Sequence, residues 1–244
     1  MDKNNNYYIN HIKDYFKTCG FEITDTQASQ FYRFYELLVS WNEKMNLTGI
    51  TDFDEVLRKH FLDSVILKKV GENVLKKDSK IIDIGTGAGF PGIPLKIMFP
   101  ELRLVLLDSL GKRIDFLNCV INELGLKDIE AVHGRAEEFV SQGNREQFDL
   151  CVSRAVADLR ILSEFCIPFV KPGGYFIPYK SGDYEEELAL AENSVSILGG
   201  KIEDTIQFVL EGGNEERSLI IIRKIESTSE KYPRRFARIM KNPL

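Results

Sequence analysis

The sequence predicts an α/β fold with a seven-stranded sheet, a terminal antiparallel hairpin and an N-terminal helical extension. From Lys80 onward, short apolar runs alternate with segments of helical periodicity, which is typical of strand–helix units with parallel strands. The first apolar run ends in a glycine cluster between Gly85 and Gly92, a sign of a tight turn from a strand onto a helix. The last two apolar runs are joined by Glu211-Gly-Gly-Asn214, which predicts a hairpin.

The N-terminal segment, residues 7–70, is predicted to be helical. One buried helix face is indicated by large apolar side chains at three- and four-residue steps, namely Phe31, Phe34, Tyr35, Leu38 and Trp41. Thr24 or Asp25 is suited to cap that helix. The segment 45–50 breaks the pattern, and a further helix is expected from about Asp52 to Val70.

Seven strands are expected after the extension. They are Ile81–Ile84, Leu102–Leu107, Ile129–His133, Phe148–Ser153, Tyr175–Tyr179, Ile202–Val209 and Leu219–Arg223. The helices predicted between them include Lys112–Leu124, Leu159–Val170 and Tyr184–Leu198. The chain is accordingly divided into a helical extension (1–75), a sheet domain (76–226) and a basic C-terminal tail (227–244).

The glycine cluster predicts a nucleotide-like ligand. Gly87, Gly89 and their neighbours satisfy a literal GxGxxG, which is compatible with NAD or FAD. Counted from Gly85, the same residues read Asp-x-Gly-x-Gly-x-Gly directly after a strand, which favours S-adenosylmethionine (SAM). Phe90 and Pro91 stand where a pyrophosphate needs open backbone. A glycine-rich turn without any ligand is the remaining interpretation.

Two further features bear on the ligand. Asp108 lies 23 residues after Gly85, at the end of the second predicted strand, where an acid is placed to bind ribose hydroxyls. The terminal hairpin differs from the six parallel strands of dinucleotide-binding domains. Together they predict a Rossmann-like class I SAM-dependent methyltransferase.

Composition excludes several other classes of protein. No apolar run approaches the roughly 20 residues that span a bilayer, and the N-terminus lacks the apolar core of a signal peptide, so we expect a cytoplasmic protein without a membrane partner. The four cysteines and three histidines show no metal-ligand spacing, and no metal site is predicted. The net charge is −5, but the last fourteen residues carry +5, a local patch that suits phosphates.

Five motifs give the chain a resemblance to a known family. They are Asn42-Glu-Lys-Met-Asn-Leu-Thr48, His60-Phe-Leu-Asp-Ser64, Asp83-Ile-Gly-Thr-Gly-Ala-Gly-Phe-Pro-Gly-Ile-Pro94, Asp108-Ser-Leu-Gly-Lys-Arg113 and Ser153-Arg-Ala155. With them the chain resembles the glucose-inhibited division protein B family of small-subunit rRNA guanine-N7 methyltransferases, from about Tyr35 to Arg223. Many methyltransferases share the glycine cluster between Gly85 and Gly92, called the glycine loop below. Its Phe-Pro-Gly-Ile-Pro continuation, combined with His-Phe-Leu-Asp-Ser, is typical of far fewer families.

The resemblance implies SAM-dependent methylation of N7 of one guanosine, position 527, in the 530 loop of 16S rRNA. It places cofactor contacts on Gly85, Phe90, Ala136, Glu137 and Arg154. Relatives with a basic tail tend to have Gly and Pro after the Pro-Arg pair, whereas this chain continues with Phe-Ala-Arg-Ile-Met. Some relatives lack the tail, so we expect it to support RNA binding rather than chemistry.

No catalytic residue is assigned, because guanine N7 carries a free lone pair and needs no general base. The positioning candidates are Arg154, at the end of the fourth strand, Lys180, at the end of the fifth, and His60. Two of them have a structural alternative: a salt bridge for Arg154, and for His60 the fixing of the N-terminal helices through Asp63.

The expected partner is 16S rRNA or the small ribosomal subunit, bound by a monomer. The RNA-binding candidates are Lys112, Arg113, Lys180, Arg234, Arg235 and Arg238. A solvated surface explains Lys112 and Arg113 equally well. Two other functions stay open from the residues alone: a small-molecule SAM-dependent methyltransferase and a dinucleotide-binding oxidoreductase.

Overall fold

The computed structural model describes residues 3–71, 73–154, 157–182 and 184–244. Ten α-helical segments are found in these ranges: α1 (Lys3–Thr18), α2 (Asp25–Met45), α3 (Phe53–Val56), α4 (Asp63–Val65), α5 (Gly92–Met98), α6 (Gly111–Glu123), α7 (Ala136–Phe139), α8 (Leu159–Cys166), α9 (Glu185–Ile197) and α10 (Phe236–Lys241). None of the described helices is long and apolar enough to cross a membrane. Ala155, which ends one of the sequence motifs, lies outside the described residues.

The sheet contains seven strands in the order β3-β2-β1-β4-β5-β7-β6. They are β1 (Lys80–Ile84), β2 (Arg103–Asp108), β3 (Ile129–His133), β4 (Phe148–Ser153), β5 (Val170–Ser181), β6 (Gly200–Val209) and β7 (Glu216–Lys224). The strands β1 to β5 pair in parallel, and β7 runs antiparallel to both β5 and β6. The predicted seven strands and terminal hairpin are therefore confirmed.

Both faces of the sheet are covered, which is why its central strands are largely apolar. Neighbouring residues of a strand point to opposite faces, so Ile81 belongs to one core and Ile82 to the other. The N-terminal helices, α5 and α6 share the first core, while α8 and α9 cover the second. The extension thus packs on the sheet, and the three-part division of the chain stays a prediction.

The segment predicted as one helix from Asp52 to Val70 is built from four pieces. Asp52 caps α3, a π-helix (Leu57–Leu62) precedes α4, and a 3₁₀ segment (Ile66–Val70) follows it. Such π-helical pieces are frequent at functional sites. The π-helix carries Lys59 and His60, and Asp63 follows it, so this irregular segment supplies side chains to the site described below.

Two predicted boundaries were wrong. The helix expected to run to Val170 ends as an α-helix at Cys166 and becomes a 3₁₀ turn (Ile167–Phe169), because Pro168 has no N–H to continue the α-helical pattern. The fifth strand begins at Val170, which pairs with Phe148 of β4, and extends to Ser181.

For α2, Thr24 is the N-cap, and it accepts a hydrogen bond from the backbone N–H of Gln27.

Candidate cofactor and acceptor cavities

Two adjoining cavities lie at the carboxyl edge of the parallel strands, where ligands of open α/β sheets bind. The first, of about 360 Å³, is the cofactor cavity. The second, of about 670 Å³, is the acceptor cavity. Ala157, shortly after β4, lines both. One site therefore has room for two ligands side by side.

The cofactor cavity contains four of the eight predicted cofactor residues. Gly85, Asp108, Ala136 and Glu137 line it, together with apolar side chains that the sequence analysis missed, namely Ile161, Leu162, Phe165, Phe236 and Met240. These side chains come from α8 and α10, which carry no nucleotide-binding signature. Their contribution is visible only once the chain is folded.

The glycine loop holds its shape through Asp108. The carboxylate of Asp108 accepts hydrogen bonds from the backbone N–H groups of Gly87 (2.9 Å) and Leu110 (2.9 Å), and pairs with Arg113 (3.2 Å). The residues Gly85, Gly87 and Gly89 all have positive φ, which glycine adopts without strain. Arg113, predicted to contact RNA, is thus paired with Asp108 at the cofactor cavity.

Asp83, beneath the loop, is a buried acid with one free oxygen. Its Oδ2 accepts hydrogen bonds from the Thr86 hydroxyl (2.7 Å) and the Gly92 N–H (2.9 Å), while Oδ1 has no partner among the described residues. Burial raises the pKa of the Asp83 carboxyl to about 7, despite the opposing effect of these hydrogen bonds. A positive charge bound nearby would favour the ionised form of this acid.

The cofactor cavity fits SAM. Its volume lies within the range of small-ligand sites, about 300–1,000 Å³. It offers an acid at the tip of β2 for hydroxyl groups and apolar walls for a purine. Asp83, two residues before Gly85 in the chain, keeps one carboxyl oxygen without a partner among the described residues. These are the residues that would hold SAM.

The Phe90 side chain, predicted to contact the cofactor, lies in an aromatic cluster instead. Its ring is buried in an aromatic cluster with Phe34 (5.2 Å between ring centroids) and His60 (4.5 Å), and the guanidinium of Arg154 lies 4.9 Å from its centroid. Phe90, Gly87, Gly89 and Arg154 are not among the residues that line the cofactor cavity. Their contact with the cofactor stays a prediction, while the Phe90 ring joins the glycine loop to the N-terminal extension.

The acceptor cavity brings together all three positioning candidates. His60, Arg154 and Lys180 line it, with Lys59, Asp63, Asp158, Tyr179, Glu187 and Arg217 among the other lining residues. Arg154 pairs with Asp63 (2.9 Å) and also donates to the backbone oxygen of Lys59 (3.0 Å). Lys180 pairs with Glu187 (2.6 Å). The structural salt bridge considered for Arg154 is therefore real, and it lies within the cavity.

His60 is held in place by other partners than expected. Its Nε2 lies 2.9 Å from the Thr48 hydroxyl and its Nδ1 lies 3.3 Å from Arg154, which in turn binds Asp63. Burial lowers the pKa of His60 to about 3, and the neighbouring Arg154 contributes. The imidazole is therefore neutral at physiological pH.

This low pKa predicts a pH dependence of stability. Because His60 titrates near pH 6.5 when unfolded and near 3 when folded, the unfolded state binds more protons between these values, and stability falls as the pH falls. Between about pH 6.5 and about pH 4.5, we expect the free energy of unfolding of the native protein to fall by about 2 kcal/mol more than that of His60→Gln. Urea unfolding at several pH values measures it. His133→Gln, at an exposed histidine, is the control, and equal pH slopes for native protein and His60→Gln would contradict the assignment.

The predicted RNA-binding residues are divided between surface and interior. Lys112, Arg235 and Arg238 are exposed. Arg234 lies inside: its guanidinium forms two hydrogen bonds with Glu164 (2.6 and 2.8 Å), a carboxylate with no exposed surface. That pairing anchors the tail to α8, and an RNA contact by Arg234 stays a prediction. No cluster of metal-ligating side chains is found in the described parts of the chain.

The sheet order, the glycine loop and the acid at the tip of β2 define a class I SAM-dependent methyltransferase. Solved structures share this fold. A putative sarcosine dimethylglycine methyltransferase from Galdieria sulphuraria matches with a TM-score of 0.56 at 14% identity, covering 84% of this chain and 100% of that one. The M. jannaschii TYW2 structure in complex with AdoMet gives 0.52 at 12% identity, covering 66% of this chain and 77% of that one.

The chain belongs to the rRNA small subunit methyltransferase G (GidB) family, whose model matches residues 27–227. The ribosomal RNA small subunit methyltransferase G of Lachnoclostridium phytofermentans is 51% identical over 229 residues, which cover 93% of this chain and 94% of the relative. That of Alkaliphilus metalliredigens is 48% identical over 234 residues, covering 96% and 97%. The resemblance identified from the motifs is confirmed, and an oxidoreductase is excluded.

Proposed function

We propose that this protein transfers the methyl group of SAM to N7 of a guanosine in the 530 loop of 16S rRNA, the guanosine at position 527. The observation that carries the proposal is the pair of cavities that meet at Ala157, one suited to SAM and the other large enough for a base. Family membership supports rRNA as the class of acceptor. SAM supplies an activated methyl group on its sulfonium.

The acceptor cavity suits a reaction that needs placement rather than proton transfer. N7 of guanine has an available lone pair and no proton to lose, so the enzyme has to align N7 with the methyl group. Among the side chains of this cavity, His60 has the ordinary pKa that lies nearest to neutrality. Its imidazole is held neutral here and is hydrogen-bonded to Thr48. The residues of the cavity therefore act by orienting the base.

Asp63 is the group that we assign to guanine recognition. One of its oxygens pairs with Arg154, while Oδ1 has no hydrogen-bond partner among the described residues and lies 3.4 Å from the Arg217 guanidinium. Guanine presents two neighbouring donors, N1–H and the 2-amino group, and a carboxylate accepts from both. A carboxylate also stabilises the positive charge that methylation creates on the purine.

The exposed cations supply the contacts to RNA outside the cavity. Lys112 lies at the start of α6, and Arg235 and Arg238 lie on the C-terminal tail. Phosphate contacts by such residues position RNA without reading its sequence. An rRNA substrate is consistent with a protein that acts in the cytoplasm as a monomer. This monomer would bind either free rRNA or the assembled small subunit.

Labelled SAM and small subunits lacking the modification test this function. We expect one methyl group per subunit, at N7 of the 530-loop guanosine, and none when a 7-deazaguanosine replaces it in reconstituted rRNA. Label at another nucleotide would contradict the proposal. Salt-insensitive methylation of a metabolite, with no label on RNA, would support the small-molecule alternative instead.

A matched pair of variants connects the reaction to Asp63. Asp63→Asn keeps the shape of the side chain but replaces one acceptor oxygen by a donor, so we expect methyl transfer to fall at least about tenfold. Asp158→Asn changes an acid of the same cavity that already pairs with Arg160 (2.7 Å), and we expect a smaller loss. Equal activities for Asp63→Asn and the native protein would remove Asp63 from guanine recognition.

A further inference from the structure

We propose that the C-terminal helix α10 forms a wall of the cofactor cavity and that Phe236 and Met240 are contacts for the purine of SAM. This inference rests on the proposed use of SAM and assigns cofactor binding to a segment outside the family match, which ends at residue 227. From its basic residues alone, the tail is expected to bind RNA. The structure points to a second role.

Phe236 and Met240 are exposed apolar side chains that lie at a cavity. Their relative exposures are 43% and 48%, although Ile239 between them is completely buried. Both line the cofactor cavity together with Phe165 of α8 and with Ala136 and Glu137 of α7. Large apolar side chains left open in this way are typical of ligand-binding surfaces.

The helix α10 is held firmly where it begins. The buried Glu164 accepts from both the guanidinium and the backbone N–H of Arg234 (2.8 Å), the residue that precedes the helix cap. The carbonyl oxygen of Tyr232 accepts a hydrogen bond from Arg145 (2.6 Å). Because breaking a buried ion pair is costly, the start of the helix is fixed relative to the sheet.

Phe236 is also fixed by its neighbours. Its ring stacks on Phe165, with centroids 6.0 Å apart, and the guanidinium of Arg135 lies 4.9 Å from its centroid. Arg135 precedes Ala136 and Glu137, which the family resemblance already places at the cofactor. The Phe236 ring therefore connects the tail directly to the loop that follows β3 at the cofactor cavity.

The same helix carries cations on its exposed side. Arg235, Arg238 and Lys241 are exposed, next to the two apolar side chains at the cavity. The tail thus presents apolar groups to the cofactor and charged groups to solvent. RNA bound by these cations would lie beside the occupied cofactor cavity.

Isothermal titration of the full-length protein with S-adenosylhomocysteine, without RNA, tests the inference. We expect the Phe236→Ala, Met240→Ala double variant to bind at least about tenfold more weakly, since it loses two apolar contacts. Phe236→Tyr keeps an aromatic ring and is expected to bind nearly as the native protein does. Leu190→Ala and Ile197→Ala, at two exposed apolar residues of α9, are the controls.

The outcomes separate this inference from the proposed function. Unchanged or tighter binding by a double variant whose thermal unfolding matches the native protein would overturn the role of the tail and leave the methylation of rRNA untouched. Weaker binding by the double variant, with normal binding by the two controls, supports it. Failure of the native protein to bind S-adenosylhomocysteine would overturn both.

Discussion

Replacing Arg154 by alanine is expected to abolish methyl transfer and to lower the free energy of unfolding by about 3 kcal/mol. The guanidinium pairs with Asp63, whose side chain is 3% exposed, and lies over the Phe90 ring. Without it, the buried carboxylate keeps, among the residues that the structure describes, the more distant Arg217 (3.4 Å) as its counter-charge. The acceptor cavity and the contact between the N-terminal extension and the glycine loop are disturbed together.

Two further variants separate the effect on stability from the effect on the reaction. Arg154→Lys keeps the charge but loses the planar group that reaches both Asp63 and the Lys59 carbonyl, so we expect a folded protein with little activity. Arg160→Ala breaks an ion pair whose partners are 29% and 30% exposed, and should cost about 0–1 kcal/mol. Urea unfolding and single-turnover methylation measure the two effects. Full activity of Arg154→Ala would contradict the role given to this residue.

The sequence predicted the parts of the fold that depend on local patterns. Apolar runs located every strand of the sheet, and Glu211-Gly-Gly-Asn214 located the hairpin, because both are readable within a few residues. The glycine loop and Asp108 stand at the ends of two successive strands, and the structure joins them by a hydrogen bond from Gly87 to Asp108 across 21 residues. The part of the cofactor cavity that these two strand ends form was predictable for this reason.

The rest of the cofactor cavity depends on residues far apart in sequence. Arg234 and Glu164 are separated by 70 residues, so a cation in a basic tail was predicted to meet RNA, although it meets a buried acid. Phe236 and Met240 reach the cavity because of that pairing. Nothing in their own sequence neighbourhood indicates a ligand, and this is why the tail was assigned to RNA binding alone.

Replacing Gly89 of the glycine loop by alanine is expected to lower the free energy of unfolding by about 3 kcal/mol or more. A Cβ on Gly89 would lie 2.6 Å from Cγ1 of the buried Ile93 and 3.0 Å from Cδ2 of Leu117, and φ is +92°. Strain of the backbone and overpacking of the core therefore add. We also expect the variant to lose measurable binding of S-adenosylhomocysteine.

Gly87→Ala is the matched control, because it shares the positive φ (+60°) but not the crowding. A Cβ there has only the Gly85 carbonyl oxygen nearby, at 3.9 Å, so the cost is expected to be about 1–2 kcal/mol of backbone strain. Urea unfolding of both variants gives the difference, which isolates the close packing of Gly89 against α5 and α6. Equal stabilities for the two variants would mean that Ile93 and Leu117 move aside and that backbone conformation alone requires glycine in this loop.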